Sequence, residues 1–272
     1  LLITGNFDLS VVGVSLLTNV LSVYFSQAAN VSQNDLANGL GLPYGIAVAM
    51  ALLGAMSIGA INAFFIVRLK VPSIIITLGT MMVARGIAQV ITQGAQRNTS
   101  LPDVFGVIGN VSLPGTTIKV SVLIMVVLVL IAFVLERTTV TGKRTYLIGA
   151  NKAAARLSGV NVNRHLTSLF LLSSLLAGIV GILLASEYKA GLSNRAMGYE
   201  FDALVVTLLG GVSIMGGFGS VLGMFVGALI LSVVTSTATG LLLRPEWQFT
   251  LKAISVFIAI LAQGYMLSRR KG

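Results

Sequence analysis

The sequence predicts an all-α polytopic membrane protein, a helical bundle that includes broken or re-entrant helices. Three observations lead there: 56% of the 272 residues are hydrophobic, only 10% are charged, and the apolar residues gather into membrane-length windows. A soluble globular domain carries roughly 25% charged residues, and a helix needs about 20 apolar residues to cross a hydrocarbon core of roughly 30 Å. The windows fall at 45–67, 73–93, 120–135, 166–186 and 247–267, the third borrowing flanking residues. Two more apolar stretches, 9–28 and 203–239, are interrupted by glycine and polar residues.

Charge orients these spans. The segment 136–165 holds Arg137, Lys143, Arg144, Lys152, Arg156 and Arg164 against the single acid Glu136, and the chain ends on Arg269-Arg270-Lys271. Basic residues concentrate in cytoplasmic loops, which places both segments, and the link with Arg68 and Lys70, in the cytoplasm. The segment 29–44 has Asp35 and no base, and 187–202 has Glu187, Glu200 and Asp202 against Lys189 and Arg195, so these face outward. The formal charge of +10 follows from this asymmetry, and no nucleic-acid partner is expected. The chain opens on Leu1-Leu2-Ile3 without a methionine, and further helices are expected before it; residues 1–272 read as one transmembrane domain.

Parity then constrains 203–239. Both 187–202 and 240–246 must lie outside for the last span to end on the cytoplasmic bases, so 203–239 goes in and returns. Thirty-seven residues cannot make two full spans and a turn, and GGVSIMGGFGS (210–220) interrupts them. A short re-entrant half-helix followed by a longer return helix is expected. Such breaks at membrane depth are tolerated where they are buried in protein or line a watery cavity; a purely structural kink is the alternative.

The chain also echoes itself. Phe7-Asp8 before Val11-Val12 recurs as Phe201-Asp202 before Val205-Val206, and Pro72, Thr77 and Leu78 recur as Pro245, Thr250 and Leu251. With Asp8 toward the cytoplasm and Asp202 toward the outside, the copies would be an inverted repeat, an arrangement that transporters use for alternating access. Chance remains open as the other explanation of matches this short. Ionisable residues at membrane depth are costly and often functional, which singles out Asp8, Asp202, Arg85 and Lys252. For the two aspartates, capping of a helix start is favoured over ligand contact. For Arg85, pairing with a carboxylate in the bundle is favoured over solute contact, and Lys252 can snorkel.

Within 136–165, Asn151 suits an N-cap, Ala153-Ala154-Ala155-Arg156-Leu157 favours helix, and Gly159 suits a left-handed stop. The resulting helix, about 151–159, is too short to stand alone in water. It needs a surface, either an acidic partner or the protein's own membrane domain.

Several motifs in order decide between these. The run GANKAAARLSGVNVNRH (149–165), then FLLSSLLAGIVGILLASEYKAG, MGYEFDALVVTLLGGVSIMGGFGSVLGMFVGALIL and WQFTLKAISVFIAI, preceded by LLITGNFDLSVV and VPSIIITLGTMMVARGIAQVITQG, resembles the membrane permease subunit of ribose-type ABC sugar importers. The resemblance covers essentially the whole chain. It implies that 151–159 is a coupling helix whose Asn151, Ala154, Ala155, Arg156, Ser158 and Gly159 contact an ATPase subunit. It further implies a second permease copy, identical or related, an extracytoplasmic solute-binding protein, lipid around the spans and a bacterial inner-membrane location. ATP and Mg would sit on the partner subunit, and this chain would bind no cofactor. The departures fall near the expected path: Gly5-Asn6-Phe7-Asp8-Leu9-Ser10 where Gly-Gly-Ile-Asp-Leu-Ser is usual, Leu172-Ser173-Ser174 where Leu-Ser-Gly is usual, Ser193-Asn194-Arg195 where a proline and glycine are expected, Glu187 for a frequent arginine and Lys252 for glycine.

No catalytic or metal site is expected. There is no cysteine, His165 is the sole histidine, and the phosphate loop G-x-x-x-x-G-K-[ST] is missing: Thr141-Gly142-Lys143-Arg144 has Arg137 at the first glycine position and Arg144 at the last. Hydroxyls and amides can exchange with the water around a sugar without holding it tightly. Asn62, Thr77, Thr80, Arg85, Gln89, Thr207 and Gln248, with Asp8 and Asp202, are therefore the candidates for the translocation pathway. Each has bonding between helices as its competing role. Permeases for nucleosides or branched-chain amino acids, a stand-alone secondary transporter or channel, and a membrane enzyme are the rival functions, the last disfavoured by the lack of a clustered acid, base and nucleophile.

Overall fold

The computed structural model describes residues 1–29, 38–98, 101–194, 198–213 and 216–242, with positions 244, 247, 250, 251, 253, 254, 257, 258 and 261 beyond them. Asp35, Arg195, Gln248, Lys252, most of the expected span 247–267 and the basic end 269–271 lie outside the described residues. The ordered elements are helices: α1 (Val11–Ser26), α2 (Tyr44–Ala63), α3 (Ser73–Thr92), α4 (Val107–Asn110), α5 (Val120–Thr138), α6 (Val140–Ala150), α7 (Lys152–Leu157), α8 (Val162–Tyr188), α9 (Tyr199–Leu209) and α10 (Val221–Gly240). Five are long and apolar enough to cross a membrane: α2 with its π-helical extension to Arg68, α3, α5, α8 and α10. Four match the windows read from hydropathy, and α10 is the return helix expected in 203–239.

That segment divides as parity requires. α9 has 11 residues, about 16 Å at 1.5 Å per residue, and so cannot cross a core of roughly 30 Å. α10 has 20 residues and can. Between them the chain adopts conformations that favour glycine, with φ of +85° at Gly216 and +79° at Gly217.

The chain forms two compact units. The first comprises Leu1, Phe7–Leu128 and Asn163–Met197; the second comprises Leu2–Asn6, Val129–Val162 and Gly198–Gly272. In the first, α1 is the central helix, with 12 of its 16 residues buried, including polar Ser15, Thr18, Asn19 and Ser22. A helix apolar and polar alike, buried on nearly every side, can form only where neighbours approach closely. Glycines provide that approach: a β-carbon at Gly181 of α8 would collide with the Ser15 carbonyl of α1, and one at Gly13 would lie 2.5 Å from the Met81 carbonyl oxygen of α3. Small residues serve this purpose in membranes, where exclusion from water does not drive helices together.

Loops of this unit are tied by polar contacts. Arg97, 3% exposed, donates to Gln27 Oε1 at 3.0 Å and to the Ile91 and Asn38 carbonyls, and its guanidinium lies over the Tyr24 ring. Its backbone pairs with Gly191. Glu187, one of the departures from the family pattern, accepts from Lys119 at 2.9 Å. In the second unit α9 and α10 pack through glycine, a β-carbon at Gly210 falling 2.7 Å from Gly223 backbone atoms.

Candidate functional site

Three arrangements involve the predicted site residues. The first is a polar chain in the first unit. Thr80 of α3 donates to Asn62 Oδ1 at 2.8 Å, Asn62 of α2 donates to Ser10 Oγ at 2.9 Å, and Ser10 donates to Asp8 Oδ1 at 2.5 Å. The other carboxylate oxygen accepts from Ser173 of α8 at 2.6 Å. Asp8 also accepts the Ser10 backbone N–H at 3.0 Å, three residues before α1 begins. Asp8 is expected to cap a helix start; its carboxylate meets the N–H of the N-cap residue Ser10, while α1 has no side-chain cap bond, and it adds a bond to α8. Ser173 stands 11 residues after Val162, about 16 Å along the helix, so these bonds form within the spans. Asn62 is fully buried, and its amide joins three helices.

The remaining pathway candidates are placed differently. Thr77 is buried and donates to the Ser73 carbonyl at 2.8 Å within its own helix. Arg85 is half-buried, and Gln89, one turn further along α3, is exposed. In the second unit, Thr207 donates to the Leu204 carbonyl at 2.8 Å. Asp202 lies in the first turn of α9, whereas Asp8 precedes α1, so the echoed aspartates stand at different places relative to their helices.

The second arrangement is α7. Asn151 Oδ1 accepts the Ala153 and Ala154 N–H groups at 2.9 and 3.0 Å, the expected N-cap. Gly159 has φ of +79°, its N–H donates to the Arg156 carbonyl, and the Val160 N–H reaches the Ala155 carbonyl, each at 3.0 Å. These two bonds form a Schellman end. Asn151, Ala154, Arg156, Ser158 and Gly159 are exposed; Ala155 is fully buried and bears on the protein itself. Leu157 is 91% exposed at the end of α7. It was legible as the one large apolar residue in 151–159, beside Arg156, yet the predicted contact set omits it.

The third arrangement was not read from the sequence. α6 begins on Thr139, whose hydroxyl accepts the Gly142 N–H at 3.3 Å, and carries Tyr146. The Tyr146 hydroxyl lies in hydrogen-bond contact with Glu136 Oε1 and 2.6 Å from the Gly219 carbonyl oxygen. Glu136 Oε2 accepts the Val221 N–H, the first of α10, at 2.9 Å. Burial, followed by the hydrogen bond to Glu136 and its charge, pushes the Tyr146 phenol up to about 12. The phenol thus keeps its proton at physiological pH. Among the described residues no three His, Cys, Asp or Glu side chains gather into a metal-binding group.

Residues 1–261 match the family model described as branched-chain amino acid transport system / permease component. The chain belongs to that permease family. The permease is 32% identical to the ribose import permease protein of Haemophilus influenzae, over 99% of this chain and 80% of that protein. It is 32% identical to the L-arabinose transport system permease protein of Escherichia coli K12, over 97% of this chain and 76% of the relative. With the galactose/methyl galactoside import permease protein of the same strain it shares 28% identity, over 100% of this chain and 82% of the relative. No solved structure matches. The expected ribose-type family is therefore the observed one, and the permease is a multi-pass membrane protein.

Proposed function

We propose that this permease carries a sugar across the bacterial inner membrane by alternating access, driven by ATP hydrolysis on a separate subunit that holds ATP and Mg. The observation that carries the reading is similarity along nearly the whole chain to three permeases named for sugars. α7 would dock on the ATPase through Arg156, Leu157 and the exposed edge formed by Asn151, Ala154, Ser158 and Gly159, with buried Ala155 fixing the helix to its own unit. A second permease copy would complete the path, and a solute-binding protein would deliver sugar to the outward loops. Of the pathway candidates, Asp8, Asn62, Thr77 and Thr80 are engaged in bonds within and between helices. Arg85 and Gln89, four residues apart on one face of α3, would line the path with them, together with Asp202 and Thr207.

The test is gentle purification from native membranes with identification by mass of every bound chain. The expected result is an ATPase with a phosphate loop in about equal number, lost on Arg156→Glu while the permease remains folded. A chain recovered alone that still moves solute without ATP overturns the reading. The family description names branched-chain amino acids, so uptake is measured with labelled ribose, arabinose, galactose and leucine side by side; uptake of leucine alone would refute the sugar assignment.

A further inference from the structure

The turn between α9 and α10 poses a problem that the second unit solves with side chains from elsewhere. A broken helix exposes backbone N–H and C=O groups that no helical ladder satisfies, and in a membrane each must find a partner. Two of these groups are met by residues that shortly precede α7 in the chain, and a third by the opening residues of the chain. Gly219 C=O lies against the Tyr146 hydroxyl, Val221 N–H donates to Glu136, and Gly217 N–H donates to the Ile3 carbonyl at 2.7 Å. The same Ile3 carbonyl abuts Gly149, where a β-carbon would collide with it. Gly149 is the penultimate residue of α6, and only Asn151 separates α6 from α7. α6 is therefore joined to the turn at two points, Tyr146 and Gly149, spaced almost one helical turn apart.

One detail makes the Tyr146 contact adjustable. A phenol has a single proton to donate, yet Tyr146 faces two acceptors, the Glu136 carboxylate at the end of α5 and the Gly219 carbonyl in the turn. Whichever takes the proton, the other is the weaker contact. The hydroxyl can thus donate to α5 or to the turn, one at a time. Glu136 is simultaneously occupied with the first N–H of α10, so α5, α6 and α10 meet at this pair.

We propose that Tyr146, oriented by Glu136, is the positioning residue that passes movement of α7 and α6 to the turn preceding α10, and so to the broken helix. This rests on the reading of α7 as the ATPase contact. It adds a defined link inside the permease, formed by one hydroxyl and one carboxylate.

The experiment uses the complete complex in proteoliposomes and measures sugar moved per ATP hydrolysed, with ATPase content and thermal midpoint measured on the same preparation. Tyr146→Phe keeps the ring and removes the proton; Glu136→Ala removes the shared acceptor and is the second variant if the first does not accumulate. Each is expected to retain bound ATPase and hydrolysis while sugar moved per ATP falls about fivefold or more, the scale of a modest coupling free energy. The double variant is expected to be no worse than Tyr146→Phe alone, because the pair acts as a unit. Peptides covering 216–223 are expected to exchange amide hydrogens faster in the variants, with α1 to α3 unchanged. An unchanged ratio overturns the inference, as does a fall that only tracks loss of folded protein or bound ATPase. If the wild-type complex contains no ATPase, or transports without ATP, the ATPase-contact reading fails and takes the inference with it; normal wild-type coupling with normal variants removes the inference alone.

Discussion

The main polar run of each unit ends on a different kind of group. In the first, side chains bond to side chains: Thr80, Asn62, Ser10, Asp8 and Ser173 form one connected run across α1, α2, α3 and α8. In the second, side chains bond to backbone: Tyr146 and Glu136 reach the carbonyl of Gly219 and the N–H of Val221. The first pattern ties intact helices together and resists sliding. The second supports a place where the helix is absent, so its partners can change only if the turn moves. A membrane protein that must be both firm and movable can separate these needs by what its polar side chains bind.

The sharpest challenge to the firm half is Gly181→Val. Its side chain would meet the Ser15 carbonyl and the Asn19 backbone nitrogen of α1, neither of which can turn aside. A loss of about 3 kcal/mol is expected, read as a fall in thermal midpoint in detergent or as failure to accumulate. Asn62→Ala comes next. It breaks two bonds between helices and opens a cavity at a fully buried position, for about 2 kcal/mol. Thr77→Val should cost less than about 0.5 kcal/mol, since its hydroxyl bonds only inside its own helix and returns little net energy there. A Thr77→Val variant as damaging as Asn62→Ala would mean that the polar run extends further than its hydrogen bonds indicate.

The smallest effect belongs to the movable half and is read against pH. The Tyr146 phenol holds its proton to about 12 in the folded chain, against about 10 when unfolded. Its contribution is complete below pH 10 and is lost as pH rises through 12, because the unfolded state releases its proton first. The stability difference between wild type and Tyr146→Phe should therefore shrink between pH 10 and 12, as followed by thermal midpoint. A constant difference across that window would remove Glu136 and burial as the cause of the raised value.

Local chemistry was legible, and distant pairing was not. Asn151 and Gly159 marked both ends of α7 because capping depends on residues within one turn. Parity of the loop charges, length and the glycine run together predicted the short α9 and the long α10. α6 was read as loop: Val140-Thr141-Gly142 and Thr145 are poor helix formers, and besides nearby Glu136 the helix is held by contacts with Gly219 and Ile3 that lie far away in sequence. For the same reason Asp8, Asn62 and Thr80 could be listed but not joined. Ser173 entered the sequence comparison only as the neighbour of a departure, Ser174 for glycine, and it proves to be the group that binds the second oxygen of Asp8. The exposed Leu157 could have been found from its company of small and charged residues.

The closed ends of α7 bear on how fast and how tightly a partner can bind. Asn151 at one end and the Gly159 turn at the other complete the helix with its own atoms, so no ordering remains to be done on contact. Association of a preformed element avoids the entropic penalty that a folding segment incurs. Encounter should then be governed by orientation and by the positive charge of Lys152 and Arg156, with lower ionic strength quickening it. A subunit docking on α7 would meet a finished key.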